Sequence, residues 1–152
     1  AFFRELEEFY ATAGTPLSVS LEEGLPAIAG DAGQLRQVMH NLVGNAMDAT
    51  SGCAKREIHL TTTGLRRPDG KIEAVRVVLE DNGSGFSPNI LARAFEPYTT
   101  TKPTGTGLGL PMVKKIIEEH HGRITIGNRT DLQGNVLGAQ IVIVLPRAPA
   151  AT

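Results

Sequence analysis

Apolar residues recur along this chain with two periods, and each switch between them marks an element. Phe2, Leu6, Phe9 and Tyr10 fall at helical spacing, and Gly14-Thr15-Pro16 ends that segment. Leu17-Ser18-Val19-Ser20-Leu21 alternates, the pattern of a half-buried strand. After a loop over 22–30, Asp31 supplies the N-cap of a long helix reaching about Ala49. On that helix Leu35, Val38, Met39, Leu42, Val43, Ala46 and Met47 form one stripe. Alternation returns over 58–63 and 75–80, with Arg67-Pro68-Asp69-Gly70 as the turn between. Ser87-Pro88-Asn89 opens a short helix running to Ala94, and 95–107 shows no period, which predicts a long loop. A helix from about Leu108 to His121 is expected to stop at Gly122, its C-cap. Strands over 123–127 and 139–145 follow, and Pro146 onward reads as a frayed tail.

Strand pairs of the hairpin kind outnumber βαβ units. The expected class is therefore α+β, with a mixed, mostly antiparallel sheet and helices on one face. At 152 residues the chain suits one domain, here 1–148 with 149–152 as tail. Hydrophobic residues make up 41%, enough for a core. Lys and Arg number 15 against 16 Asp and Glu, and that balance argues against nucleic acid as a partner. Cys53 is the single cysteine, so the chain has no internal disulfide framework. No run approaches a membrane span, and the first residues lack a signal-peptide layout.

Three clusters carry candidate chemistry. Asn41, Asn45 and Asp48 stand at i, i+4 and i+7, on one face of the long helix beside its apolar stripe. Alone, such a face is ordinarily a solvated flank. Its other reading is a hard-cation site, since an amide oxygen suits Mg2+, which keeps most of its waters and borrows substrate phosphates. The second cluster is Asp81-Asn82-Gly83-Ser84-Gly85-Phe86, directly after a strand. It reads either as a tight turn or as a base pocket: Asp81 accepting from an exocyclic amine, Gly83 admitting a flat ring, Phe86 as wall. The third is Gly105-Thr106-Gly107-Leu108-Gly109-Leu110. Glycines at alternate positions opening a helix leave backbone amides bare, a site for phosphate. Lys102, just upstream, reads either as solvated or as reaching the same phosphates.

In that order and spacing, the clusters resemble the boxes of the ATP-binding catalytic domain of bacterial sensor histidine kinases, within the gyrase, chaperone, histidine-kinase and mismatch-repair (GHKL) ATPase superfamily. The N box is matched by Gln37-Val38-Met39-His40-Asn41-Leu42-Val43-Gly44-Asn45-Ala46, and the G1 box by Asp81, Gly83, Gly85 and Phe86. The F box is matched by Phe95-Glu96-Pro97-Tyr98-Thr99-Thr100-Thr101-Lys102, and the G2 box by Gly105 through Leu110. Arg36-Gln37-Val38-Met39-His40-Asn41-Leu42 and Phe95-Glu96-Pro97-Tyr98 resemble the nitrogen-regulation, NtrY-like type of kinase.

The resemblance implies a two-layer α/β sandwich, the Bergerat ATP-binding fold, with ATP and Mg2+ as ligands. It assigns catalytic roles to Asn41, Asn45 and Lys102, with Asn45 on the metal and Asn41 at the phosphates. Asp81 would hold the adenine amine, while Gly83, Gly85 and Phe86 shape the base pocket. Residues from Phe95 to 107 would be the lid, with Thr101, Gly105, Thr106, Gly107, Leu108, Gly109 and Leu110 also on nucleotide. Two positions depart from the pattern: Asp48 replaces a frequent basic phosphate contact, which places it by the metal's water shell, and Pro111 replaces a small residue. Proline is tolerated in a first turn only, so the regular helix must begin near Leu108 to Leu110.

Hydrolysing members of the superfamily carry Glu where this chain has Asn41. A carboxylate can serve as general base, whereas an amide cannot. Asn41 thus favours transfer to a histidine, whose neutral ring already offers a lone pair. The family's acceptor histidine is followed by an acidic residue and then Pro, and none of His40, His59, His120 or His121 is. The acceptor is therefore expected on a separate dimerisation and phospho-acceptor domain, with relay to a response-regulator aspartate. The implied setting is a cytoplasmic domain, monomeric when isolated, in a homodimeric parent anchored in the inner membrane. An ATP-hydrolysing machine and a non-catalytic nucleotide-binding docking module are the rival readings.

Overall fold

The computed structural model describes residues 2–12, 14, 17–26, 28, 30–95 and 109–148. Along the chain run α1 (Phe2–Thr12), β1 (Leu17–Leu21), α2 (Ala32–Ala49), β2 (Ile58–Arg66), β3 (Ile72–Asp81), α3 (Pro88–Arg93), α4 (Leu110–Glu119), β4 (Arg123–Thr130) and β5 (Val136–Pro146). The strands form one sheet in the order β1-β2-β3-β5-β4. β1 pairs parallel with β2, and every other neighbouring pair is antiparallel. The fold is α+β with a mixed, mostly antiparallel sheet, as the alternation pattern required.

Register decides what each face carries. Leu60, Leu79 and Ile141 stand in one cross-strand row, and Thr62, Val77 and Ile143 in the next. Because side chains alternate across a sheet, these rows share a face, and that face joins one core with Leu6 of α1, Leu42 of α2, Ile90 of α3 and Ile117 of α4. The row one residue along, Ser18, His59, Glu80 and Gln140, lies on the opposite, polar face. Among the described residues, helices therefore cover one side only.

The ends of α2 are fixed by side chains. Asp31 Oδ1 accepts from Gln34 N at 2.9 Å, the N-cap bond expected from the sequence. At the other end Arg56 Nη2 donates to Met47 O at 2.6 Å and Nε donates to buried Thr50 Oγ1 at 3.2 Å. A cation on the last carbonyls complements the helix dipole.

The structure corrects three sequence expectations. Gly122 is not the left-handed residue that ends α4. His121 takes that conformation, with φ of 61°, and Gly122 N closes the turn onto Ile117 O at 2.9 Å. Glycine is required at 122 for another reason: a Cβ there would overlap the carbonyl oxygen of Val144. Pro146 does not fray, since it pairs with Ala74, and Arg147 N donates to Glu73 O at 3.1 Å. Alternation turns the missing N–H of Pro146 away from β3, to a side where pairing with β4 stops at Val144. Finally, Phe9 stays exposed while Leu6 and Tyr10 are buried, and the Phe9 ring stands edge-on to His40 of α2.

His120 binds two helices together. Its Nδ1–H donates to Ile116 O at 2.8 Å, and its Nε2 accepts from the Asp31 backbone N at 3.0 Å. Both partners are single-purpose, an acceptor and a donor, so they fix which ring nitrogen carries the proton. The ring thereby ties the end of α4 to the start of α2. Among the described residues no helix is long and apolar enough to cross a membrane.

Candidate functional site

Asp81 ends β3 on the helix-facing side and is 6% exposed. Its Oδ1 accepts from Gly83 N at 2.8 Å and Ala139 N at 3.2 Å. These bonds make a buried carboxylate tolerable. Among the described residues Oδ2 takes no hydrogen bond, yet it is not sealed from solvent. One oxygen is therefore held by the protein, and the other remains as an acceptor for a ligand donor.

The backbone after Asp81 is packed too closely for side chains. A Cβ on Gly83 would lie 2.5 Å from Ala49 O, so this turn sits against the end of α2. Gly85 has φ of 78°, and a Cβ there would lie 2.6 Å from Val136 Cγ1. Phe86 is partly buried against the core. The four G1 positions predicted from sequence, Asp81, Gly83, Gly85 and Phe86, thus lie along one turn packed between the end of α2 and the strands β4 and β5.

Other residues hold this turn, and sequence reasoning missed them. Asn128 of β4 accepts from Phe86 N at 2.7 Å and donates to Phe86 O at 2.8 Å. Arg129 Nη1 donates to Asp81 O at 2.9 Å while its Nε pairs with Glu80 at 3.2 Å. Gly138 of β5 sits so close that a Cβ would overlap Asp81 O. Asn82 turns away, bonding Lys55 O at 2.7 Å and Glu57 N at 2.9 Å, and braces the loop before β2. The available signal was polar or glycine residues inside otherwise apolar strand patterns: Asn128 after Ile126, and Gly138 before Ile141.

Asn41 and Asn45 lie half-buried on α2, with Asn45 Nδ2 donating to Asn41 Oδ1 at 3.3 Å. Asp48, the third residue of that face, is exposed. Gly109 precedes α4 in the left-handed region, with φ of 66°. A Cβ on Gly109 would overlap the Asn41 amide nitrogen. N box and G2 box are therefore in contact, and Leu110, fully buried, anchors the first turn of α4 beneath them. Pro111 lies in that first turn, as its chemistry demands. Phe95, where the sequence places the start of a lid, takes Lys114 of α4 over its ring at 5.1 Å. Thr101, Lys102, Gly105, Thr106, Gly107 and Leu108, with the rest of the lid, lie outside the described residues.

Among the described residues no three His, Cys, Asp or Glu side chains gather as a metal cage. A Mg2+ that keeps waters and takes phosphate oxygens needs no such cage, and amide oxygens on α2 fit that donor set. The arrangement leaves an acceptor oxygen at Asp81 and sets the start of α4 against Asn41.

Comparison with known proteins fits this geometry. Residues 30–149 match the family described as histidine kinase-, DNA gyrase B-, and HSP90-like ATPase. Over 99 residues the chain is 41% identical to a Rickettsia conorii protein named sensor histidine kinase NtrY-like, a match covering 65% of this chain and 16% of that protein. Over 110 residues it is 40% identical to the sensory histidine kinase/phosphatase NtrB of Rhodobacter capsulatus, covering 69% of this chain and 31% of that one. Among solved structures, the catalytic domain of histidine kinase ThkA superposes with a TM-score of 0.74 at 27% identity, over 96% of this chain and 88% of that one. Full-length ShkA in complex with AMPPNP gives 0.74 at 26%, over 99% of this chain and 30% of that one. ThkA in complex with the response regulator TrrA gives 0.67 at 27%, over 97% and 39%.

Proposed function

The chain belongs to the histidine kinase-, DNA gyrase B- and HSP90-like ATPase family, and from that membership we propose that it binds Mg-ATP and passes the γ-phosphoryl group to a histidine on a separate dimerisation and phospho-acceptor domain. The chain spans 16% and 31% of the lengths of the two relatives above, so relay to a response-regulator aspartate and a membrane-anchored, homodimeric parent belong to the same proposal. The ThkA–TrrA complex supports the response regulator as partner, and the ShkA–AMPPNP complex supports the nucleotide.

The observation that carries the reading is the contact between Asn41 and Gly109. It sets an amide, with no carboxylate, against the N-terminus of the helix where phosphates would lie. Asp81 Oδ2 would accept from the adenine amino group, while Gly83 and Gly85 let the ring approach the backbone. Asn45, with Asn41 beside it, would hold Mg2+, which when bound supplies positive charge to the phosphate oxygens. Backbone amides at the start of α4 and Lys102 would orient the phosphoryl group.

With no general base at Asn41, water is not activated, and the acceptor's neutral imidazole attacks with its own lone pair. The new N–P bond forms as the bond from the γ-phosphorus to the bridging oxygen breaks, and ADP leaves with the electron pair. The test is incubation of this chain with γ-labelled ATP, Mg2+ and the phospho-acceptor domain of its parent kinase. Label on the acceptor histidine supports transfer. Free phosphate as the main product, lost in Asn41→Ala, supports hydrolysis instead. Bound ATP with neither product supports a docking module.

A further inference from the structure

We propose that Arg129 is a positioning residue for the nucleotide site: clamped by Glu80 and Gln140 on the polar face of the sheet, it sets the aim of the Asp81 carboxylate toward the base. The inference rests on the reading of Asp81 as acceptor for the adenine amino group, and it names what holds that acceptor in place.

Asp81 needs a support because the sheet gives out beside it. The register between β3 and β5 ends at Glu80 and Gln140, one residue short of Asp81. Past that row, side-chain bonds tie the segments together. Ala139 N donates to Asp81 Oδ1 at 3.2 Å, the long end of the usual range. Arg129 Nη1 donates to Asp81 O at 2.9 Å.

Arg129 belongs to β4, and β5 lies between that strand and β3. Its register partner on β5 is Gly138, where a Cβ would overlap Asp81 O. Glycine at 138 thus leaves open the path by which the guanidinium crosses to Asp81. The rest of the fork is held on the polar face. Arg129 Nε pairs with Glu80 Oε2 at 3.2 Å, and Gln140 Nε2 donates to the same oxygen at 3.3 Å. The Arg129 and Glu80 side chains are 36% and 30% exposed, and an ion pair so open to water adds little to stability. Its consequence is geometric. A planar fork with two partners fixes the backbone at Asp81, and an acceptor about 1 Å out of place meets its donor poorly.

The test compares titrations of the full chain with Mg-ATP and with the Mg2+ complex of purine riboside triphosphate, which lacks only the 6-amino group. The native chain should prefer ATP about ten-fold or more, the size of a hydrogen bond to a charged group. Asp81→Ala should lose that preference. Arg129→Met keeps the length and the apolar stem, so it should fold, and it should cut the preference about three-fold or more. Damage that is merely structural lowers both affinities alike and keeps their ratio. A preference lost in Asp81→Ala but intact in folded Arg129→Met would overturn the positioning role alone. No preference in the native chain would overturn the adenine reading, and this inference with it. Should Arg129→Met not fold, Glu80→Gln takes its place, keeping size and an acceptor while removing the charge that faces Nε. A lowered preference there supports the role, and an unchanged one overturns it.

Discussion

The side-chain amide of Asn41 occupies the space that any side chain on Gly109 would need. The two residues are far apart in sequence and belong to different elements, α2 and the turn into α4. Their contact joins the two segments between which the phosphates are proposed to lie. Gly109 also has a positive φ, which costs an L-residue about 1–2 kcal/mol. Gly109→Ala should therefore lower stability by about that amount and displace Asn41. Denaturant unfolding should show the modest loss, and nucleotide titration should show a drop in ATP affinity of about ten-fold or more, a size typical of a lost charged or polar contact.

Asn128 holds Phe86 by both its N–H and its C=O. Asn128→Ala leaves two partly buried backbone groups without partners, at about 1–3 kcal/mol. ATP affinity should fall with stability, because the loop carrying Gly83 and Gly85 loses its brace. Asn128→Asp keeps the acceptor for Phe86 N and loses the donor to Phe86 O, so it should recover part of the loss. Equal affinity in all three proteins would show that β4 does not position the base pocket.

His120 supplies the acceptor for the Asp31 backbone N–H at the start of α2. His120→Ala strips that partner and opens space in the core, so unfolding should require about 2–4 kcal/mol less. Hydrogen exchange at the Asp31 amide should rise in the same variant. An unchanged exchange rate would mean that the ring is only filling volume.

Asp131 shapes the turn between β4 and β5. Backbone and side-chain hydrogen bonds from Asn135 hold its carboxyl below the usual carboxylate range, with further bonds from Gln133 and Gly134. A carboxyl lowered in the fold stabilises it above the unfolded value and loses that contribution as pH falls through the folded value. Asp131→Ala should therefore melt below the native chain at pH 7, and the difference should narrow as pH falls through the lowered folded value. A difference that persists in acid would mean that the carboxylate charge is not the cause.

Most elements were legible because their causes are local. Asp31 as N-cap, the apolar stripe of α2 and the alternation of β2 and β3 each depend on residues close in sequence. The turn from Asp81 to Phe86, where the purine is proposed to bind, was legible for the same reason. What was not legible depends on contacts across the fold. Asn128 matters because β4 pairs beside β5, which brings it to Phe86; its place after Ile126 marks it as unusual, but nothing in sequence names that partner. Gly122 looked like a helix cap because glycine usually is one there, yet the left-handed residue is His121 and Gly122 yields space to Val144. Pro146 looked like the start of a tail because chain ends ordinarily fray, yet it pairs with Ala74, and the early end of β4 makes its missing donor unnecessary.

The central claim is that Asp81, with one oxygen fixed by Gly83 and Ala139 and the other unbonded within the protein, selects adenine. Calorimetric titration of the chain with the ATP analogue AMPPNP and its guanosine counterpart, each with Mg2+, tests it most directly. The account predicts measurable binding of the adenine nucleotide, negligible binding of the guanine nucleotide, and loss of the adenine signal in Asp81→Ala, with the variant still folded. Equal affinities for the two nucleotides, or undiminished adenine binding by folded Asp81→Ala, would contradict it.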